Sequence, residues 1–492
     1  MSNYYISKSA FIRGMQCEKS LYLHRRHPEL RDEISEAQEA IFTRGTNVGI
    51  LAQQLFPGGI DVKPDEHSQI QESIEKTKRL IDAGEKVIYE AAFRHRNALA
   101  FIDILVKERR GWHIYEVKSS TRVDNVHVLD AAFQLNLLIN AGLEVKDVSI
   151  VHLNTQYVRK GDLNIHELFT ITSVFHQAGD VLHQVIEKLR RFDKVLDRDS
   201  IPDIPIGPHC FDPYQCDFMG HCWKHVPENS VFEVGNLRGD KKFELYNRGI
   251  IHIKDIPDEY PLSVNQRIQV VCERNGNTII DKAKVNEFLN SLTYPLYFFD
   301  LETVNPAVPL FDNSRPYQQI PFQFSIHYKK SKRSAAGHYE FLAEAGPDPR
   351  PELIRQFLRH TANPGDILVY NQAFEVGRLR ELARDFPEYE KELNNRIERV
   401  KDLIIPFRSK AYYTPGMRGS YSIKAVLPEI VPELSYDEME IGDGGAAMHA
   451  YERLITETDP EKIQHTRNAL LEYCKLDTLG MVRILEVLEG VS

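Results

Sequence analysis

Between residues 87 and 154, three apolar runs, one helical pattern and a fourth apolar run follow one another with short gaps. The apolar runs are VIYEAAF (87–93), LAFIDILV (99–106), WHIYEVKSS (112–120) and VSIVHLN (148–154), and the helical pattern covers 128–143. Runs of this length are typical of buried strands. Strands that lead into a helix and a further strand predict an α/β core. The block therefore predicts an α/β domain over residues 1–230.

Strand patterns return in the second half of the chain, at YPLYFFDLET (294–303), QFSIHYK (323–329) and DILVYN (366–371), and a long amphipathic helix is predicted over 466–490. These patterns predict a second α/β domain over residues 291–492. Residues 231–290 lack strand runs and predict a helical linker, whose helix, Gly turn and helix weakly match a helix-hairpin-helix. Three segments suit a chain of 492 residues.

The charge balance narrows the class of protein. The chain has 61 Lys and Arg and 71 Asp and Glu, so its net charge is −10. This excludes a histone-like nucleic-acid binder, but a nuclease needs only a local basic track. Six cysteines are too few for a disulfide scaffold, no apolar stretch approaches 18 residues, and the N-terminus lacks an apolar signal segment. We expect a cytoplasmic protein without membrane partners.

A first group of polar residues lies on the neighbouring strands IDIL and YEVKSS. Asp103 lies on one strand, and Glu116 and Lys118 share a face of the next because side chains alternate. Two carboxylates and a lysine suit metal-assisted phosphodiester cleavage, with Gln134 on the following helix as a positioning residue. Glu90 is a further candidate carboxylate. The alternative is a surface ion pair on a hairpin.

Four cysteines form the second group. Cys210, Cys216 and Cys222 are spaced C-x5-C-x5-C, and Cys17 lies 193 residues before the first of them. Zinc sites favour closer pairs, whereas thiolates from both ends of a domain suit an iron–sulfur cluster. His209, His221 and His225 keep a zinc site open as an alternative.

A third group combines a strand end with two later helices. Asp300 and Glu302 lie at i and i+2 in FFDLET, Glu375 begins a helix, and Tyr473 and Asp477 are four residues apart on another. Four acids from such elements can bind two divalent ions, Mg²⁺ or Mn²⁺, while the tyrosine orients water.

The loop 403–427 contains basic residues and tyrosines but no acid. Phosphate contacts and base stacking would make it a single-strand track. A solvated loop with tyrosines packed below it is the alternative. The candidate nucleic-acid-binding residues are Arg408, Lys410, Tyr412, Tyr413, Arg418 and Lys424.

The first two groups resemble the RecB-like branch of the PD-(D/E)XK nuclease superfamily, which includes CRISPR-adaptation exonucleases, over residues 5–225. The resemblance implies a restriction-endonuclease-like core, with Asp103 and Glu116 as metal ligands and Lys118 as the catalytic lysine. It implies Gln134 as the helix glutamine and a 4Fe-4S cluster on the cysteines listed next: Cys17, Cys210, Cys216 and Cys222. The metal-binding His of an early helix is missing from 44–59, where Gly49 takes the corresponding position.

The third group resembles the DEDD exonucleases in their tyrosine variant, over residues 292–490. This resemblance implies a ribonuclease H-like (DnaQ-like) fold. It implies Asp300, Glu302 and Asp477 as metal ligands and Tyr473 as the water-orienting residue. Glu375 stands where that superfamily has Asp.

The whole architecture resembles bacterial proteins that fuse these two modules. It implies a metal-dependent nuclease with two active centres and 3′-5′ exonuclease activity in the second, acting in DNA processing, repair or defence against foreign DNA. An RNA-trimming ribonuclease is one alternative. The other is a non-catalytic nucleic-acid clamp, motivated by the substitutions at Gly49 and Glu375.

Overall fold

The computed structural model describes residues 4–34, 36–437 and 439–491. The chain forms two compact units, Met1–His225 with Ala307–Tyr317, and Val226–Pro306 with Gln318–Ser492. Both units combine a mixed sheet with helices, so the chain has the α/β character expected from its sequence. In the parts of the chain that are described, no helix is long and apolar enough to cross a membrane.

The first unit is built on a six-stranded sheet whose spatial order follows the chain. The β1–β2 and β4–β5 pairs are parallel, and the other neighbours are antiparallel. The strands are β1 Ile60–Asp61, β2 Val87–His95, β3 Ala98–Glu108, β4 Gly111–Val117, β5 Val145–Leu153 and β6 Phe169–Ser173.

Helices cover both faces of this sheet. Ile114 packs with Phe133 and Phe192 in one apolar cluster, while its neighbour Tyr115 packs in another on the opposite face, as strand alternation requires. The helices are α1 Lys8–Gln16, α2 Glu18–Arg26, α3 Glu36–Ala52, α4 Ile70–Ala83, α5 Asn125–Asn140, α6 Ile165–Leu168, α7 Phe175–Leu196 and α8 Met219–Cys222.

The second unit has a five-stranded sheet in the order β10-β9-β8-β11-β12 and a separate antiparallel pair, β7 with β13. In the five-stranded sheet, β8, β11 and β12 are parallel, and β9 runs antiparallel to β8 and β10. The strands are β7 Ile279–Ile280, β8 Leu296–Val304, β9 Ile320–Lys329, β10 Gly337–Leu342, β11 Ile367–Val369, β12 Val400–Asp402 and β13 Tyr412–Tyr413.

The central strand β8 is buried along nearly its whole length because helices lie on both sides of it. Phe299 and Phe357 pack in the apolar cluster on one face, and the terminal helix packs against β8 and β9. The helices are α9 Gly239–Asn247, α10 Val264–Asn275, α11 Lys282–Asn290, α12 Arg350–His360, α13 Gln372–Asp385, α14 Glu390–Ile397, α15 Ile405–Arg408, α16 Ile423–Ile430, α17 Gly444–Leu454 and α18 Pro460–Val491.

The units differ from the sequence-based segments in two ways. Residues 231–290, expected to be a separate linker, cluster with the second unit, because Asp281 N–H donates to Ala411 O at 2.7 Å and β7 pairs with β13. Residues 307–317, expected in the second domain, join the first unit, where the Tyr317 hydroxyl donates to Ser119 O at 2.6 Å. Both differences rest on contacts between residues far apart in sequence.

Candidate functional site

The second unit contains a set of carboxylates that we call the C-terminal acidic cluster: Asp300, Glu302, Glu375 and Asp477. Asp300 and Glu302 come from β8 and Asp477 from α18, and one oxygen of each lies within 4.8 Å of the other two. Among the described residues, no other group of three or more His, Cys, Asp or Glu side chains meets this distance. These residues, with Glu375, line a cavity of about 400 Å³.

Strand and helix periodicity explain how these side chains meet. Asp300 and Glu302 leave β8 on one side while Leu301 between them packs in the core on the other. Tyr473 and Asp477 are one helical turn apart on α18, and both line the cavity. This is the grouping predicted from the sequence.

Glu375 enters the cavity from the first turn of α13. The helix begins after Asn371, whose φ of +90° turns the chain sharply from β11 into the helix. The Glu375 side chain is only 2 % exposed, and its Oε2 has no hydrogen-bond partner. A buried carboxylate oxygen without a donor leaves a place for a cation.

Burial and mutual repulsion shape the titration of this cluster. Burial first, and then neighbouring carboxylates, raise the pKa of Asp300, of Glu302 and of Glu375 well above the usual range. Burial raises the pKa of Asp477 to about 6, although a hydrogen bond from Tyr436 opposes the rise. Without a cation, these carboxyl groups therefore favour the protonated form, and full ionisation of the cluster requires positive charge from outside it.

Three further residues lie beside the cluster. The sequence indicated no role for two of them and a different role for the third. The Tyr436 hydroxyl donates to Asp477 Oδ1 at 2.6 Å, and Cys474 Sγ lies 3.6 Å from Asp300 Oδ2. Lys424, expected in a nucleic-acid track, lines the cavity with its Nζ 5.6 Å from the Tyr473 ring centroid. No sequence motif indicated Tyr436 or Cys474 as residues of this site.

The first unit contains the N-terminal acidic cluster, which consists of Asp103, Glu116 and Asp130 with their lysines. Glu116 is 2 % exposed, and Lys118 Nζ lies 2.9 Å from its Oε1 and 2.6 Å from Asp130 Oδ2. Gln134 Nε2 donates to Glu116 Oε2 at 2.6 Å. The residues predicted to act together thus do lie together, and Asp130 joins them from α5.

The N-terminal acidic cluster also contains Lys8, which no sequence motif indicated. Its Nζ donates to both Glu116 oxygens at 2.9 Å and lies 3.6 Å from Asp103 Oδ1. Asp103 Oδ2 accepts a hydrogen bond from the Val117 N–H at 2.7 Å. The ammonium of Lys8 therefore lies between the two carboxylates expected to bind metal.

The ammonium groups of Lys8 and Lys118 shift the pKa values of the carboxyl groups around them. Burial alone would raise the pKa of Glu116, but Lys118 and Lys8 outweigh it and hold that pKa well below the usual range. Burial and repulsion from Glu116 raise the pKa of Asp103, against the attraction of Lys8. The predicted neighbour Glu90 also has a raised pKa, chiefly from burial.

Cys17, Cys210, Cys216 and Cys222, which we call the cysteine cluster, line one small cavity in the first unit. Gln16 Nε2 ties the end of α1 to this region by donating to His209 O at 2.8 Å. All six cysteines of the chain are free thiols. Burial raises the pKa of Cys17 and of Cys222, and the other thiols of the cluster raise it further.

The loop 403–427 is less open than the sequence suggested. Tyr412 and Tyr413 are buried because they form β13 and pair with β7, and Lys410 is buried with its Nζ 3.5 Å from the Tyr413 ring centroid. These three residues serve the core of the unit rather than a stacking surface. Arg408 stays about half exposed, while Arg418 pairs with Glu228 and Glu233.

Comparisons with known proteins cover parts of the chain. A family described as "Domain of unknown function (DUF2779)" matches residues 297–422, which include Asp300, Glu302 and Glu375. An "Uncharacterized protein UU173" of Ureaplasma parvum is 28% identical over 356 residues, 63% of this chain and 50% of the relative. An "Uncharacterized protein MG366 homolog" of Mycoplasma pneumoniae is 26% identical over 205 residues, 38% of this chain and 31% of the relative. The chain thus spans half or less of these relatives.

Proposed function

We propose that the chain is a metal-dependent nuclease whose hydrolytic centre is the C-terminal acidic cluster, with 3′-5′ exonuclease activity. The observation that carries this proposal is the convergence of Asp300, Glu302 and Asp477 within 4.8 Å, in a cavity shared with Glu375 and Tyr473. Acids gathered from a strand and two helices around one cavity are the donor set that divalent ions use to cleave phosphodiesters.

The topology of each unit supports the two fold resemblances. In the first unit, α4, β2, β3, β4, α5 and β5 follow one another, as expected for a restriction-endonuclease-like core. In the second, the sheet order β10-β9-β8-β11-β12 with β9 antiparallel to its neighbours suits a ribonuclease H-like DEDD domain. Under the proposal, the second unit cuts nucleic acid.

The C-terminal acidic cluster fits Mg²⁺ or Mn²⁺, because its oxygen donors are close together and Glu375 Oε2 lacks a partner. Bound there, either ion would supply Lewis-acid activation of water and neutralise charge on the phosphate. The Tyr473 hydroxyl orients the attacking water from the helical face of Asp477. Tyr436 holds the Asp477 carboxylate in place through its 2.6 Å hydrogen bond.

Lys424 contributes positive charge for the phosphate. Its Nζ donates to Gly442 O at 2.7 Å, which holds the ammonium beside the cavity and close to the rings of Tyr436 and Tyr473. The cavity volume of about 400 Å³ lies in the range of pockets for small organic groups, and would admit one terminal nucleotide. We place DNA ahead of RNA as the substrate, in a cytoplasmic DNA-processing role.

The proposal includes a 4Fe-4S cluster on Cys17, Cys210, Cys216 and Cys222. A single zinc ion with Zn–S bonds of about 2.3 Å would hold its sulfurs about 3.8 Å apart. No three of these thiols, all in the described part of the chain, lie within 4.8 Å of one another. Thiolates bound to separate irons are spaced more widely, so the cysteine cluster fits the iron–sulfur group better than zinc.

Elemental analysis of protein purified without oxygen tests the cluster. We expect iron and acid-labile sulfide, lost in Cys216→Ser and retained in Cys272→Ser, whose thiol lies outside the cysteine cluster. If the protein contains stoichiometric zinc and no iron, the four cysteines form a zinc site and the iron–sulfur proposal is wrong.

Cleavage assays on the full chain test the nuclease. Labelled single-stranded DNA, duplex DNA and RNA are incubated with Mn²⁺, with Mg²⁺ or with EDTA. We expect metal-dependent shortening from the 3′ end, reduced about 10²–10³-fold in Asp300→Asn. Asp281→Asn is the matched control, because Asp281 caps α11 in the same unit and Asn is an equally good N-cap.

The same assays separate the alternatives. Faster cleavage of RNA than of DNA would make the chain an RNA-trimming ribonuclease. Binding of labelled DNA without cleavage by the wild-type chain, with both ions, would make it a nucleic-acid clamp.

A further inference from the structure

Lys8 occupies the point at which a divalent ion would have to bridge Asp103 and Glu116. Its Nζ lies 2.9 Å from both oxygens of Glu116 and 3.6 Å from Asp103 Oδ1. A Mg²⁺ ion would need oxygens at about 2.0–2.1 Å around that point, which leaves no room for an ammonium. The residues of the N-terminal acidic cluster therefore do not fit the metal that the RecB-like resemblance implies.

The carboxylate of Glu116 has no acceptor site left for a metal. An ionised carboxylate offers roughly four lone-pair sites. Lys8 contacts both oxygens of Glu116, Lys118 contacts Oε1 and Gln134 contacts Oε2, so four contacts are made. A metal could bind Glu116 only in exchange for one of these donors.

The chain fixes Lys8 in this position. Ile6 is buried and pairs with Ala98 at the start of β3, where the Leu99 N–H donates to Ile6 O at 3.0 Å. Ser7 then caps α1, and Lys8 is the first residue of that helix. These backbone contacts hold the start of α1 beside β3, and the Lys8 ammonium is held in turn by Glu116 and Asp103.

We propose that Lys8 takes the place of a divalent cation in the N-terminal acidic cluster, so that Asp103 and Glu116 bind no divalent metal while Lys8 is present. Two lysines of the first unit then balance part of the charge of these acids, and Glu116 contacts both of them. This inference does not depend on the nuclease activity proposed above, because metal binding can be measured without a substrate.

Counting bound Mn²⁺ by electron paramagnetic resonance on the full chain tests the proposal. The Asp300→Asn/Asp477→Asn double variant removes ligands of the C-terminal acidic cluster and serves as the background. We expect that adding Asp103→Asn to this background changes no Mn²⁺ binding. We expect Lys8→Met in the background to gain about one Mn²⁺ per chain, lost again when Asp103→Asn is added.

Two controls sharpen the result. Lys8→Arg keeps the charge and should gain no Mn²⁺. Lys118→Gln removes the other ammonium from Glu116 but leaves Lys8 in place, so it should also gain none. A gain with Lys118→Gln equal to that with Lys8→Met would overturn the assignment to Lys8.

Two outcomes contradict the proposal directly. The first is a Mn²⁺ ion bound by the background with Lys8 intact and lost on Asp103→Asn. The second is a folded Lys8→Met variant that gains no Mn²⁺. The first comparison needs no change at Lys8, so it decides the question even where Lys8→Met fails to fold.

Discussion

The two acidic clusters are built alike but are neutralised differently. In each, buried carboxylates project from a central strand towards a packed helix, β4 towards α5 in the first unit and β8 towards α18 in the second. Two lysines contact Glu116 in the N-terminal acidic cluster. Within the described residues, no Lys or Arg forms an ion pair with Asp300, Glu302 or Asp477.

This difference shows that the spacing of acids in a sequence does not reveal the charge balance around them. The pattern of Asp103, Glu116 and Lys118 is as suggestive in sequence as the pair Asp300 and Glu302. What separates them is the supply of positive charge from elsewhere in the chain. A buried carboxylate that contacts an ammonium has its negative charge compensated. A buried carboxylate without such a contact needs a bound cation or must take up a proton.

The largest expected effect is on stability in the N-terminal acidic cluster. Glu116→Gln removes a buried carboxylate that Lys8 and Lys118, each about a fifth exposed, both contact. Removing one member of a buried charge network costs about 3–5 kcal/mol, so the free energy of unfolding should fall by that amount. Denaturant titration at pH 7 in EDTA measures it.

A matched change in an exposed pair provides the control for this prediction. Glu244 on α9 and Arg248, which follows that helix, form an exposed pair, and Glu244→Gln should cost less than about 1 kcal/mol. A loss of similar size in both variants would mean that the N-terminal acidic cluster is not held by its buried charges.

The opposite sign is expected in the C-terminal acidic cluster. The pKa of Asp477 rises from 3.8 to about 6 on folding, so the folded state favours the protonated acid. Such a group contributes stability below its unfolded pKa, and this is lost as pH rises through about 6. In EDTA, Asp477→Asn should therefore be near neutral at pH 4 and stabilising by about 2–3 kcal/mol at pH 7.

Denaturant titrations of the wild type and Asp477→Asn across this pH range measure the difference. If Asp477→Asn is destabilised equally at pH 4 and pH 7, burial does not raise the pKa of Asp477. The two clusters would then differ in their residues but not in how the charge of their carboxylates affects the free energy of unfolding.

Sequence reasoning grouped both clusters but could not judge their charge balance. The i, i+2 pair of Asp300 and Glu302 and the helical turn from Tyr473 to Asp477 are local patterns, and the structure brings them together. Lys8 reaches Glu116 across 108 residues and Tyr436 reaches Asp477 across 41, without any periodic signal. Under the proposals above, long-range contacts of this kind determine which cluster can accept a metal.

The burial of the loop 403–427 was missed for the same reason. Tyr412 and Tyr413 carry the composition of a stacking surface, but β13 pairs with β7, more than a hundred residues earlier. That pairing turns both rings into the core. A basic, aromatic stretch can thus be either a surface or a buried ribbon, and only the partner strand decides between them.

A smaller effect is expected from added metal. An ion that binds the folded chain raises the free energy of unfolding by about 1.4 kcal/mol when its concentration is ten times its dissociation constant. If only the C-terminal acidic cluster binds the ion, as we propose, Mn²⁺ should stabilise the wild type and Asp103→Asn alike but not Asp300→Asn. Thermal unfolding with and without Mn²⁺ measures this, and stabilisation that is lost in Asp103→Asn would reverse the comparison.

The smallest effect should come from the neutral donor that partly relieves the C-terminal acidic cluster. The Tyr436 hydroxyl donates to Asp477 Oδ1 at 2.6 Å and lowers the pKa of that carboxyl against the effect of burial. Tyr436→Phe should lower the free energy of unfolding at pH 7 in EDTA by about 1 kcal/mol, since one hydrogen bond is lost while the ring is kept. Asp477 protonates as the pH falls below about 6, so the loss should shrink towards pH 4. The same substitution at the neighbouring ring, Tyr473→Phe, is expected to slow cleavage and to leave the affinity for Mn²⁺ unchanged. If Tyr436→Phe instead weakens stability equally at both pH values, the hydroxyl supports packing and not the charge of Asp477.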